Sequence, residues 1–407
     1  MKKSSSIIFE LLLSKETNNY KLFFPFALPA LFTGIGMWFF DTDYNFTRTW
    51  HPLLLIHSML FPVVLGFFWT GIPRFIAIEF PSLTTKIIYI FLLSAALFAF
   101  LIESIVSYKL IMFVSYAGIF FWYLKAVMKR KVSPPVVLSF LFFALLSGFI
   151  GTGIIFISEI HTIPSIILSY GLNLHRYVFF IMLITSVGSR MIPVMELKKP
   201  PGKDSYSIWS SSASKKPLIW WFISGVVFLI LSVPVTADLI TTAILRFLVL
   251  IFIAKEIFLF FRPSNNKNLA TNFLYFIQIF LILSPFIVFI KGMTYASSSH
   301  FFFISMLFLF VMIVSARVVL SHGGHGLGKE IKSRLFAIAY LLITAGIFMR
   351  TFSYYIDDLF PVYRITSAVI ILAVCLWLVE LFHSILFIRE SQQPESVPVT
   401  VKNFHKK

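Results

Sequence analysis

Apolar residues in this chain fall in unbroken runs of roughly 20, the length a helix needs to cross the hydrocarbon core of a bilayer. The first six runs cover about 22–40, 52–73, 86–102, 107–127, 135–157 and 165–187. The other six cover about 217–235, 237–261, 271–290, 300–320, 335–355 and 367–388. The pattern predicts an all-α, polytopic integral membrane protein of about twelve transmembrane helices. No run shows the strict alternation of a strand, and none is bounded by turn pairs that would make a hairpin.

The polar stretches between the runs alternate in character. Every second one is basic: Lys125, Lys129, Arg130 and Lys131 fill one, and Lys329, Lys332 and Arg334 another. The intervening stretches carry acids such as Asp41, Asp43, Glu103, Glu159, Asp238, Asp357 and Asp358. By count, roughly 27 Lys and Arg lie on one side against about six on the other, which orients both termini to the cytoplasm. The longest polar stretch, 195–216, contains Pro200, Pro201, Gly202 and a serine-rich run, and has the composition of a flexible linker. It separates six helices at about 22–194 from six at about 217–388 within one transmembrane domain, and a polar tail follows at 391–407.

Composition agrees with this pattern and removes competing classes. Of 407 residues, 58% are hydrophobic and 13% charged, where a soluble domain carries roughly 25% charged residues. Lipid must cover what polar surface cannot. The net charge of +17 does not imply nucleic-acid binding, because the basic residues sit in short loops where they act as topology determinants. The first 21 residues lack a cleavage site behind a short apolar core, so no removed signal peptide is expected. The single cysteine, Cys375, leaves neither a disulfide nor a thiolate cluster.

The chemistry must therefore come from the few ionisable residues at membrane depth, each of which is costly there. Neutral imidazole is the cheapest of them and a common metal and haem ligand. His51 and His300 open the second and tenth runs, and His175 lies in the sixth. Runs two, six and ten are four apart, and each closes on an arginine (Arg74, Arg190 and Arg317). The spacing suggests three pseudo-repeats of four helices. His51 and His300 share a membrane level, so a haem held between them is possible if their helices face each other; otherwise both are interfacial histidines. His57 follows His51 by six residues, a rotation of roughly 240°, so the two point to different walls. It either serves a cofactor or is a buried histidine bonded to a backbone carbonyl. His175 either joins the same site or is incidental to Arg176, which reaches for the interface. His322 and His325, three apart and separated by glycines, are a metal pair or a solvated loop. Arg246, mid-helix in the eighth run, either neutralises a haem propionate, lines an ion path, or pairs with an acid or carbonyl of a neighbouring helix. Glu380 and His383 share a helix face and are best explained as partner-bonded core residues. No phosphate loop, nucleophile elbow or zincin pattern occurs.

Several of these stretches resemble one family. His300, Arg317-Val-Val-Leu320-Ser-His322 and Gly324 are similar to a motif of the NnrS family, in which a histidine opens a helix ending in Arg, Leu, His and Gly. Trp50-His51 with Gly66-Phe-Phe-Trp-Thr70-Gly-Ile-Pro73-Arg74 resembles its second-helix motif, and Gly188-Ser-Arg190-Met-Ile-Pro193 its middle one. The resemblance implies a haem- and copper-containing bacterial membrane protein linked to the nitric oxide response and denitrification. It makes His51, His300 and His322 the carried-over metal ligands. Leu53 stands where many members have a second histidine. The histidines of helices two, six and ten also resemble those of subunit I of haem–copper oxidases, but helix seven lacks the adjacent histidine pair that holds copper there. The expected cofactors are haem b and copper, and the expected role is the handling of nitric oxide. The alternatives are a transporter that uses the buried His and Arg for ion coupling, a quinol- or nitric-oxide-reducing enzyme, and a structural subunit of a larger complex.

Overall fold

The computed structural model describes residues 19–40, 43–131, 136–196, 217–234, 239–258, 269–290, 295–322, 330, 333–355 and 359–386. They form twelve helices, and no strand occurs among the described residues. Helix α1 is Asn19–Gly36. Helix α2 runs from Tyr44 to Ile76 and contains a wide π turn at Leu54–Leu60. Helices α3, α4 and α5 are Leu83–Leu101, Ile105–Met128 and Leu138–Ile160. Helix α6 runs from Ser165 to Glu196 with a π turn at Leu174–Val178. Helix α7 is Pro217–Ser232 and α8 is Leu239–Phe252, ending in a π turn. Helix α9 is Leu269–Leu283, followed by a 3₁₀ segment at Ser284–Phe289. Helix α10 runs from Tyr295 to His322 with a π turn at Phe303–Leu309. Helices α11 and α12 are Arg334–Phe352 and Leu359–Leu386.

Nine of the twelve are long and apolar enough to cross a membrane. The expected linker lies outside the described residues from 197 on, as do the tail and His325; of His322 only the backbone is described, and the side chains of Arg74, Arg190 and His383 lie outside too.

Two helix starts differ from the hydropathy pattern. Helix α2 begins at Tyr44, eight residues before the second apolar run, because Asp43 caps it by accepting the Phe46 N–H at 3.2 Å. Its first two turns are amphipathic, with Thr47 and Trp50 buried and Arg48 exposed. Helix α10 likewise begins five residues before His300. Neither histidine opens its helix, and both are instead held inside a helical turn.

Consecutive helices pack as antiparallel neighbours, and α12 packs against α1, so the chain closes on itself. Helices α2 and α10 are the innermost: 89% and 76% of their spanning windows are buried, against 28% for α3. Small residues allow backbones to approach. A Cβ on Gly66 would stand 2.9 Å from the Tyr20 Cα in α1, and one on Gly151 would stand 2.7 Å from the His175 N in α6. Trp69 is fully buried, and its carbonyl accepts the Asn19 amide at 2.8 Å. The Gly66–Thr70 stretch is therefore a packing element that fixes α1 on α2.

The π turn in α2 has a local cause. Pro62 has no N–H and its ring would press on the carbonyl four residues back, a conflict that a wider turn relieves. Tyr108 of α4 donates to the Leu53 carbonyl at 2.8 Å, and Ser58 bonds to the Tyr108 hydroxyl at 2.6 Å. No proline accounts for the π turn in α10.

Candidate functional site

Three of the four described π turns lie at or just after a histidine, and two of them share a register. In α2 the turn begins three residues after His51 and lasts seven residues; in α10 it begins three residues after His300 and also lasts seven. In α6 the turn contains His175. The described helices of the proposed four-helix pseudo-repeats thus share a conformation as well as a residue type, although α8 also carries a π turn.

Between α2 and α10 lies a cavity of about 620 Å³, lined also by residues of α1, α6, α8, α11 and α12. That is a typical volume for a bound organic ligand. His51 and His300 face each other across it, with ring centres 6.3 Å apart and planes 23° from parallel. Helix α1 orients His51: its Nδ1 lies 2.7 Å from the Gly34 carbonyl oxygen. A carbonyl can only accept, so Nδ1 carries the proton, and the lone pair of the neutral ring is on Nε2. This is the tautomer of a metal-ligating imidazole held by an outer hydrogen bond.

The distance between the ring centres is that of two imidazoles on one metal ion. An imidazole nitrogen stands roughly 1.2 Å from its ring centre and about 2.0 Å from a bound metal, so two rings on opposite sides of one ion have centres roughly 6.4 Å apart.

Two aromatic ladders beside the histidines each lead to a guanidinium. On one side the Trp38 ring lies 5.7 Å from His51 and 5.0 Å from Tyr363, and the Arg350 Cζ sits 4.1 Å over the Tyr363 ring. On the other side Phe302, two residues after His300, lies 4.8 Å from Tyr177, and the Arg246 Cζ sits 4.3 Å over the Tyr177 ring. Arg246 is buried and donates to the Asn173 Oδ1 and the Val233 carbonyl, both at 2.8 Å. Those partners are neutral, so its charge is not cancelled by a carboxylate there. With Arg48 and Arg176, four arginines line the cavity, and no Asp or Glu does so among the described residues.

His57 and His175 lie elsewhere. His57 packs among Phe61, Tyr108 and Tyr116 at ring distances of 5.3, 5.6 and 6.0 Å. His175 lies 5.1 Å from Tyr116 on its other side. Both nitrogens of His57, the His175 Nε2 and the Tyr116 hydroxyl are buried without a partner among the described residues. Among the described residues no three His, Cys, Asp or Glu side chains cluster as a metal site.

Sequence reasoning singled out His51, His300, Arg246 and Arg176 of this cavity but missed Gly34, Trp38, Asn173, Arg350 and Tyr363. Arg350 carried a signal: it is an arginine inside the eleventh apolar run, where an ionisable residue warrants attention by default.

The family model described as NnrS protein matches residues 18–389. The chain belongs to the NnrS family. Neither a curated protein nor a solved structure matches it. The matched span contains all twelve helices, so the cavity, both ladders and the second histidine cluster of this NnrS-family chain fall within it.

Proposed function

We propose that this NnrS-family protein holds a b-type haem between His51 and His300 and acts in the handling of nitric oxide. Family membership supports a link to the nitric oxide response in general. The observation that carries the haem reading is the pair of facing imidazoles, 6.3 Å between centres, with the proton of His51 committed to the Gly34 carbonyl. The donor set fits: the Nε2 lone pair of His51 and the imidazole of His300 for the iron, an aromatic and aliphatic wall for the macrocycle, and Arg246 and Arg350 for its propionates. When bound, haem would supply a one-electron iron centre able to interact with a diatomic gas. The residues do the rest. Gly34 fixes the His51 tautomer, the apolar wall excludes water, and the guanidiniums hold negative charge that lipid would reject.

Copper finds less support among the described residues. His57 and His175 have unsatisfied nitrogens but no third histidine, cysteine or carboxylate beside them. The basic loops favour both termini inside, and the family resemblance favours the cytoplasmic membrane of a bacterium.

A second reading rests on the four arginines facing the cavity without a carboxylate among the described lining residues, which would suit a transporter for an organic or inorganic anion. The discriminating measurement is a reduced-minus-oxidised visible spectrum of the purified protein beside His51→Ala and His300→Ala. A b-type signal in the wild type that is lost in both variants is expected. Wild-type protein that takes up no haem even when haem is supplied during expression overturns the haem reading and moves the transporter to first place.

A further inference from the structure

A second, smaller void adjoins the histidine cavity. Its volume is about 60 Å³, and it lies between α1, α2, α10 and α12. Leu31, Met59 and Phe308 line both spaces, so the two meet at those three side chains. From there the void runs past Val63 and Met312 to Leu28, Val311 and Leu378, which are half-buried at its outer rim. The surface beyond is apolar: Val379 is 64% exposed and Phe382 50%. In a chain of this composition that surface faces lipid.

We propose that this crevice is the entry path by which a small, uncharged diatomic gas dissolved in the membrane reaches the histidine cavity. Size and lining together select the occupant. A void of roughly 10–15 Å³ admits a water, but the water also needs two to four polar partners. The crevice is large enough for a water and lacks the partners. Of its fourteen lining residues only Ser315 offers a hydroxyl, and the Trp377 N–H is already committed to the Met312 carbonyl at 3.2 Å. An apolar void of this kind stays dry and accepts apolar atoms. Ions and polar metabolites would instead enter by the arginine-lined part of the main cavity. Met59, an unbranched and adaptable side chain at the junction, is placed to let a diatomic pass between the two spaces while separating them at rest.

The inference deepens the haem reading, and its test has one arm that does not need haem. In the first arm, crystals of the wild-type protein are pressurised with xenon. Xenon in the crevice beside Val63 and Val311 supports the path, and its absence there overturns it. In the second arm, carbon monoxide recombination after photolysis is followed in haem-loaded protein for Val63→Trp, Val311→Trp and the milder Val63→Phe. None of these residues lines the histidine cavity. The bimolecular rate is expected to fall about tenfold in the Trp variants, a barrier rise of about 1.4 kcal/mol, with the haem spectrum unchanged. Unchanged rates in spectrally intact variants overturn the path while leaving the haem reading standing. A wild-type protein without haem overturns the haem reading, and the xenon arm still decides the crevice.

Discussion

The ion pair at the far end of α10 gives a prediction with a built-in asymmetry. The Arg317 Nε donates to the Glu330 Oε2 at 2.7 Å, with side-chain exposures of 5% and 1%, and the Tyr340 hydroxyl lies 3.3 Å from the other carboxylate oxygen. Burial raises the Glu330 pKa above its ordinary 4.5, and the Arg317 charge offsets this only in part. Replacing Arg317 by Leu leaves the carboxylate a way out, because it can take up a proton. At pH 7, about 2.5 pH units above the ordinary value, that proton costs about 3.4 kcal/mol. The sign follows from linkage. The native variant binds a proton that the unfolded chain has lost, so its stability falls by about 1.4 kcal/mol for each pH unit above 4.5 until the native carboxyl ionises. Replacing Glu330 by Leu leaves Arg317 no such escape, since a guanidinium keeps its proton at any working pH. Its cost is about 3–5 kcal/mol and independent of pH. The double Leu variant removes both charges and should return to within about 1 kcal/mol of the wild type. Thermal unfolding in detergent from pH 5 to 8 reads all three, and a loss of about 4 kcal/mol corresponds to about 5 °C in a chain of this size. Parallel pH profiles for the wild type and Arg317→Leu would refute the protonation argument. A double variant no better than either single would refute the pairing itself.

Three further outcomes follow from the site and its scaffold. Arg246→Leu orphans the Asn173 oxygen and the Val233 carbonyl at a cost of about 1–3 kcal/mol, and haem occupancy at limiting haem should fall below that of Arg246→Lys when read by pyridine haemochrome. Gly151→Ala puts a methyl 2.7 Å from the His175 N and 2.8 Å from the Gly171 oxygen, both backbone atoms. It should destabilise the fold by about 1–3 kcal/mol in thermal unfolding, whereas Gly36→Ala, whose nearest contact is 3.4 Å away on the Phe40 side chain, should cost far less. Tyr108→Phe removes the donor to the Leu53 carbonyl and the partner of Ser58. It should cost about 1–3 kcal/mol, with amide exchange in the α2 π turn rising first.

Much of the fold was legible because the bilayer leaves few options. Backbone groups in lipid must be satisfied within a helix, so an apolar run of spanning length predicts its own structure, and all twelve runs fall on helices. The starts of α2 and α10 were not legible, because their first turns are polar in sequence, and that of α2 is held by the Asp43 cap. The Arg317–Glu330 pair escaped for a different reason. Glu330 sits in a basic loop, and nothing in the sequence distinguishes an acid that folds back under a helix from one in solvent. Arg350 was passed over because an arginine near the end of a run usually reaches for the interface, and only the Tyr363 ring beside it reveals its inward turn.

The pairing of His51 with His300 belongs to an intermediate case. Residue type and membrane level suggested that the two could meet, but meeting depends on how each helix is rotated. A π turn changes that rotation, and hydropathy carries no trace of it. The first turn has a visible cause in Pro62, whereas the second has none, yet both begin three residues past the histidine and run for seven. A distortion repeated at the same register on two helices, one of them without a proline, is best explained by a demand common to both sites. Wide turns cost hydrogen-bond geometry and occur most often at functional positions. Under the proposed haem reading, that demand is the aiming of both imidazoles into the cavity between the two helices. His57, six residues beyond His51, turns to the wall of Tyr108 and Tyr116 instead, so one helix serves two histidine clusters on different faces.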